Sequence, residues 1–246
     1  MELYFVAVTE CYWLIKVNMN NINGYKELME RIDYQFNDES ILIKALSHSS
    51  YVNELKLNKH DDYERQEFLG DAVLELTVSD FLFNNKPTMR EGDMTKLRAS
   101  LVCEPTLSLC ARNGFDLPKY LLLGKGEDAT GGRGRDSIIS DVFEAIIGAI
   151  YLDGGIEPAR KFIYKYVLTD YEDHIEFSDS KTKLQEYAQE RQIVLSYELV
   201  EESGPAHDRD YKVKAVLGDV CSAEGIAKSK KSAEQHAAYE ILKMLQ

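Results

Sequence analysis

The sequence has no closely spaced cysteine pair, no apolar run fit to span a bilayer, and too few basic residues to balance its acidic ones. Its four cysteines, Cys11, Cys103, Cys110 and Cys221, form no CxxC and have no histidine at metal-ligand spacing. That argues against a disulfide scaffold and a structural zinc site, and fits reduced thiols in a cytoplasmic protein. The first eighteen residues are apolar and aromatic, but Glu2, Glu10 and Lys16 interrupt them and no basic region precedes them. They make neither a signal peptide nor a membrane span. Residues 1–18 are set apart as an N-terminal extension, with the functional chain expected to start at Met19, where a polar-capped helical pattern begins. With 29 Lys and Arg against 42 Asp and Glu, the net charge is −13. Such a chain is not a generally basic nucleic-acid binder, so any contact with nucleic acid must be local.

What is present is enough apolar residue for real cores, 44% in 246 residues, which suits one large or two unequal domains. From Tyr25 to Tyr171 the apolar positions recur at three and four, which predicts an all-α domain over 19–172. Polar stretches at Asn58–Asp62, Asn84–Gly92 and Gly124–Asp136 punctuate it, and the last of these reads as a flexible loop. An acidic, polar segment over 173–180 reads as a linker. Beyond it the period changes. A helix over Thr182–Gln192, strands over Ser196–Val200, Asp210–Leu217 and Val220–Ala227, and a helix over Ser229–Leu245 make an α-β-β-β-α unit, an α+β domain over 181–246. Within the second strand Tyr211, Val213, Ala215 and Leu217 alternate with Lys212, Lys214 and Val216, as in a sheet with one buried face.

Two groups of carboxylates carry the first chemical signal. Glu64, Glu67 and Asp71 fall at i, i+3 and i+7, along one side of a helix whose other side, Phe68, Leu69, Ala72 and Val73, is expected to pack into the core. Asp141 and Glu144 are spaced at i, i+3 in a strongly apolar helix with no Lys or Arg at helical spacing to pair them. An acidic stripe is commonly just a solvated face. Among isoleucine and phenylalanine that reading weakens, because a buried unpaired carboxylate must be protonated, ion-paired or bound to metal. Ligands that are all oxygen suit a hard cation, Mg²⁺ or Mn²⁺, and such ions serve phosphate chemistry.

The segment ERQEFLGDAVLEL (65–76 with Glu64) resembles the signature of the ribonuclease III family. It is accompanied, in the family's order, by SHSSYVNE (47–54), REGDMTKLRASLV (90–102) and LGKGEDATGGRGRDSIISDVFEAIIGAIYLDGG (123–155). The resemblance implies the ribonuclease III endonuclease fold and an Mg²⁺-dependent endoribonuclease, with Mn²⁺ able to substitute. Glu67, Asp141 and Glu144 match the family's metal ligands, and Asp71 matches its catalytic aspartate, with Glu144 also counted as catalytic. Glu64 and Glu91 match supporting acidic positions. The resemblance further implies a homodimer built on the signature helix and cleavage of double-stranded RNA to 5′-phosphate and 3′-hydroxyl ends with two-nucleotide 3′ overhangs. Precursors of ribosomal RNA and structured messenger RNAs are the expected substrates. Two departures stand out: Gln66 replaces a more usual apolar residue and Tyr63 a frequent asparagine, and both are expected to bear on dimer packing rather than on activity.

The C-terminal unit is similar to a double-stranded-RNA-binding domain. Duplex RNA is recognised by shape over about 16 base pairs, through two minor grooves and the phosphates between them. Gln185 and Gln189, one helical turn apart, suit 2′-hydroxyls, and His207 in the GPAHD loop suits a second minor groove. Lys228, Lys230 and Lys231, at the start of the last helix, suit phosphate, because cations there oppose the helix dipole unless an anion joins them. Residues 181–246 hold 10 basic against 11 acidic residues, leaving 19 against 31 elsewhere, so the acidity belongs to the catalytic half. Ile226 and Ala227 stand where such domains often carry a second glycine near Gly225. Two other functions compete: an RNA-binding regulator with a dead catalytic domain, and a phosphohydrolase of small molecules. The complete carboxylate set speaks against the first and the RNA-binding unit against the second.

Overall fold

The computed structural model describes residues 22–169, 171, 180–204, 209–227 and 229–245. The 1–18 extension, His207, Lys228 and all of 173–180 except Ser180 lie outside them. The N-terminal unit is helical throughout: α1 (Ile22–Ile32), α2 (Glu39–Ala45), α3 (Ser49–Glu54), α4 (Glu64–Asn85), α5 (Glu91–Leu101), α6 (Glu104–Phe115), α7 (Lys125–Ala129), α8 (Asp136–Gly154) and α9 (Ile156–Ile163). The C-terminal unit runs α10 (Ser180–Glu190), β1 (Leu195–Ser203), β2 (Asp210–Leu217), β3 (Cys221–Ala227) and α11 (Lys230–Leu245). Its sheet is antiparallel in the order β1-β2-β3. The two helices cover one face, where Ala215, Leu217 and Ala223 pack with Leu184, Ala188, Ala237, Ala238 and Ile241, and Val213 is buried as well. The expected alternation of β2 is what the buried face follows.

Helix α8 is the centre of the first unit. Ile138, Ile139, Val142, Phe143, Ala145, Ile146, Ile147, Ala149 and Ile150 are all buried, which a helix apolar on most sides requires. Phe143 joins Phe115, Phe162 and Tyr166 in an aromatic cluster with centroids 4.8–6.0 Å apart. Carboxylates pin both ends of α8. Near the start, Asp136 accepts from Ser108 Oγ (2.7 Å) and Arg112 (2.9 Å), and Ser232 of α11 donates to its other oxygen (2.5 Å). Toward the end, Asp153 accepts from Tyr34 Oη (2.7 Å), from the Asn37 amide and side chain (3.0 and 3.2 Å) and from the Asp38 amide (3.1 Å).

Three expectations need correcting here. Phe68 and Ala72 do not enter the core: Phe68 is 80% exposed and Ala72 is exposed as well, because the buried stripe of α4 runs through Gln66, Gly70, Val73, Leu74, Thr77, Val78 and Leu82. The Gly124–Asp136 segment is not an open loop. It folds as α7 and a short 3₁₀ turn, Gly132–Gly134, held by Arg133 on Asp128 and on the carbonyls of Pro118 and Leu121. Gln66 and Tyr63 are both buried within the protomer, where the Gln66 amide donates to the Ile41 carbonyl at 3.0 Å, so these departures act on the protomer's own packing.

Helices α4 and α8 meet backbone to backbone. A Cβ at Gly70 would overlap the carbonyl oxygen of Glu144, and one at Gly148 the carbonyl oxygen of Gln66. Any side chain at either position must push the helices apart. Gly70→Ala is therefore expected to lower stability by about 1–3 kcal/mol, the usual cost of overpacking. Gly92→Ala, where a Cβ meets nothing, should be neutral or slightly stabilising. Thermal melting followed by circular dichroism separates the two, and equal melting temperatures would contradict the close crossing.

Candidate active site

The glycine crossing sets the two acidic groups side by side. Helix α4 contributes Glu67 and Asp71, one turn apart, and α8 contributes Asp141 and Glu144, three residues apart. Glu67, Asp141 and Glu144 are half-buried, whereas Asp71 and Glu64 are exposed. Their charges act on one another across the interface. Burial, then Asp71, Glu67 and Asp141, push the Glu144 carboxyl up to about 8. Burial, then Asp141, Glu64 and Asp71, push Glu67 up to about 7. Asp141 is raised by burial and by Glu104, against the lowering effect of the Tyr63 hydroxyl and His48. Asp71 is raised by burial and by Glu75.

No lysine or arginine relieves this repulsion among the described residues. Arg133 is engaged by Asp128 (3.1 Å), Arg135 by Glu127 (2.6 Å) and Arg98 by Glu75 (3.8 Å). The four carboxylates border one site without closing on a single point; no ready-made shell of three acidic, histidine or cysteine donors is present among the described residues. A half-buried, all-oxygen donor set carrying unrelieved negative charge fits a hard divalent cation. It does not fit a soft metal, which would draw on thiolate or imidazole.

Glu64 belongs to the group through its charge on Glu67, but Glu91 does not. It opens α5, is exposed, and accepts from Thr95 Oγ1 at 3.0 Å. Together with Leu76, Leu82, Phe83 and Met94 it lines a separate groove of about 510 Å³ between α4 and α5. Phe68, outside the groove, and Leu76 and Phe83, which line it, are 80%, 62% and 71% exposed on one face of α4.

On the C-terminal unit, Gln185 and Gln189 are exposed one turn apart on α10, and Lys230 and Lys231 are exposed in the first turn of α11. Gln185 and Lys231 also line a cleft of about 880 Å³ shared with Arg112, Asp136 and Ser232.

The sequence reading missed three neighbours of the site. Tyr63 donates from its hydroxyl to Asp141 Oδ2 at 3.2 Å, His48 packs its ring against Tyr63 with centroids 5.8 Å apart, and Glu104 adds its charge to Asp141. Tyr63 was visible only as a departure from a family pattern, and helical spacing links none of the three to α8.

Two family models match the chain: "Ribonuclease-III-like" over residues 38–171 and "Double-stranded RNA binding motif" over 180–245. Ribonuclease 3 of Bacillus licheniformis is 47% identical over 236 residues, covering 94% of each chain. Ribonuclease 3 of Bacillus cereus is 48% identical over 227 residues, 90% of this chain and 91% of the relative. A solved nuclease domain of ribonuclease III from Campylobacter jejuni, whose description concerns flexibility in the region involved in dimer formation, superposes with a TM-score of 0.55. It is 39% identical and covers 59% of this chain and 97% of that domain. On these matches, with the acidic site and the sheet-and-helix unit already described, the chain belongs to the ribonuclease III family, of the bacterial type that joins one helical nuclease domain to one double-stranded-RNA-binding domain.

Proposed function

We propose that this endoribonuclease cleaves double-stranded RNA with Mg²⁺ held by Glu67, Asp141 and Glu144, and that Asp71 and Glu144 act directly on the reaction. The observation that carries this reading is the unrelieved repulsion among four carboxylates on two touching helices, which a divalent cation relieves. When bound, the cation neutralises charge at the scissile phosphodiester and acidifies water. Asp71, exposed at the edge of the group, orients the attacking water and takes up its proton, while Glu64 adds negative charge beside Glu67. Manganese, also a hard divalent ion, substitutes.

The protein works as a homodimer through α4, whose exposed Phe68, Leu76 and Phe83 form an apolar face of the kind that marks a protein interface. In that assembly each site cuts one strand, leaving 5′-phosphate and 3′-hydroxyl ends with two-nucleotide 3′ overhangs. Glu91 has its supporting role at this edge of the helix, away from the protomer's own carboxylates. The catalytic unit is 19–172 and the RNA-binding unit 181–246, joined by 173–180. Gln185, Gln189 and His207 read the minor grooves, and Lys228, Lys230 and Lys231 hold the phosphates between them. Among the described residues no helix is long and apolar enough to cross a membrane. By its likeness to the bacterial family, the protein works in the cytoplasm on precursors of ribosomal RNA and on structured messenger RNAs.

Cleavage of a long RNA duplex, with Mg²⁺ or with EDTA, tests the activity. The wild type is expected to give Mg²⁺-dependent products with two-nucleotide 3′ overhangs. Glu144→Ala should bind the duplex with unchanged affinity and cut at least 100-fold more slowly, about the scale expected when a key electrostatic group is removed. Duplex binding without cleavage by the wild type would make the protein an RNA-binding regulator instead.

The shifted carboxyls predict a pH signature. Unfolded glutamates titrate near about 4.3. Between there and the folded values of about 7 and about 8 the folded state holds more protons, so stability falls as pH rises through this window. In EDTA the melting temperature of the wild type should therefore fall from pH 5 to pH 8, whereas Glu144→Gln should fall less and melt higher than the wild type at pH 8. Adding Mg²⁺ at pH 8 should raise the wild-type melting temperature more than that of Glu144→Gln. Parallel pH profiles for the two proteins would count against the coupled site.

A further inference from the structure

Tyr63 is 5% exposed and is fixed from three directions. Its amide donates to the Ser47 carbonyl at 3.0 Å, and its own carbonyl accepts from the amides of Gln66 (2.8 Å) and Glu67 (2.9 Å), so its backbone joins the turn before α3 to the first turn of α4. Its ring leans on His48. The imidazole is itself held, since His48 Nδ1 accepts from the Ser50 amide at 3.1 Å and lies 2.8 Å from Ser50 Oγ, which in turn accepts from the Gly124 amide. From this anchored base the hydroxyl reaches Asp141 Oδ2 on α8.

We propose that Tyr63 is the positioning residue for Asp141, holding Oδ2 by its hydroxyl so that the other carboxylate oxygen is presented to the divalent cation. The donor sense is fixed, because an ionised carboxylate only accepts and the phenol alone has a proton to give. Asp141 has no other hydrogen-bond donor described, and three like-charged neighbours push on it; without the phenol its carboxylate would be free to rotate away from them. A ligating carboxylate that is hydrogen-bonded from outside keeps its orientation and so its affinity, and loss of such partners commonly costs roughly 10- to 100-fold in metal binding. Tyr63 also carries the Glu67 amide on its carbonyl. One residue thus ties together ligand positions on both helices. The proposal rests on the reading of Asp141 as a metal ligand.

The test is Mn²⁺ binding to the full-length protein without RNA, read from the electron paramagnetic resonance of free Mn²⁺, beside duplex affinity and melting in EDTA. Tyr63→Phe keeps the ring and removes only the donor. It is expected to weaken Mn²⁺ binding roughly tenfold and to raise the Mn²⁺ concentration for half-maximal cleavage by a similar factor. Duplex affinity should stay at the wild-type value. In an Asp141→Asn background, Tyr63→Phe should add no further loss.

Packing and donation are separated by placing 4-aminophenylalanine or 4-methylphenylalanine at position 63, which have similar shapes with and without a donor. The amino form should bind Mn²⁺ like the wild type and the methyl form like Tyr63→Phe. This pair decides the matter even if Tyr63→Phe melts below the assay temperature. Equal affinities for the amino and methyl forms, or wild-type affinity in a folded Tyr63→Phe, would overturn the proposal. In those cases the ligand reading stands if the wild type binds Mn²⁺ and Asp141→Asn does not. A wild type that binds no Mn²⁺ would overturn both.

Discussion

The backbone contact between α4 and α8 at Gly70 and Gly148 is the constraint on which the rest of the site depends. Two helices with side chains at their crossing keep 8–10 Å between axes, whereas glycine removes the spacer and lets carbonyl and amide surfaces touch. That closeness sets Glu67 and Asp71 beside Asp141 and Glu144, and the apolar residues around the crossing resist the repulsion that would part them. Val73, Leu74 and Val78 on one helix and Val142, Phe143 and Ile146 on the other are all buried. The core thus holds together at its centre what electrostatics drives apart at its edge.

The same amino-acid type behaves in opposite ways along α8, and hydrogen-bond donors decide which. Burial tends to raise the carboxyls of Asp136 and Asp153 as it does those of Asp141 and Glu144. At the helix ends, however, donors outweigh burial: Ser232, Arg112 and Ser108 hold Asp136 low, and Asn37, Tyr34 and Asp38 hold Asp153 low. Between those anchors no such donor reaches Glu144 among the described residues and four like charges, Asp71, Glu67, Asp141 and Glu75, act on it, so its carboxyl rises. Asp141 is intermediate, with Tyr63 as its one described donor. The carboxyls at the ends of α8 are therefore held low and serve the fold, whereas those in its middle are pushed up.

The two-unit architecture was open to a reader of the sequence because each unit has its own period. Apolar residues at three and four in the first unit, and alternation at Tyr211–Leu217 in the second, are local signals that survive without knowledge of the fold. The acidic site itself was open for a related reason, since carboxylates in an apolar helix such as Asp141 and Glu144 demand an explanation wherever the helix packs. Phe68 was misjudged because an apolar residue next to an acidic stripe says only that it avoids water. It does not say whether the shelter is the protomer's own core or a partner's. The Gly124–Asp136 stretch was misjudged because its glycines suggested freedom, while Arg133 found two carbonyls and a carboxylate to fold around.

By itself, then, the sequence determined the domain order, most of the helical and sheet elements and the two groups of carboxylates proposed to bind a divalent cation, because periodicity and charge are properties of neighbouring positions. Only the tertiary structure decided that α4 and α8 touch through glycine, that Gln66 turns inward to Ile41, that Glu91 stands apart from the other acids, and that Tyr63 reaches Asp141. Those facts join residues far apart in the chain. No local pattern encodes them, because each depends on where a separate helix comes to rest once the core has closed.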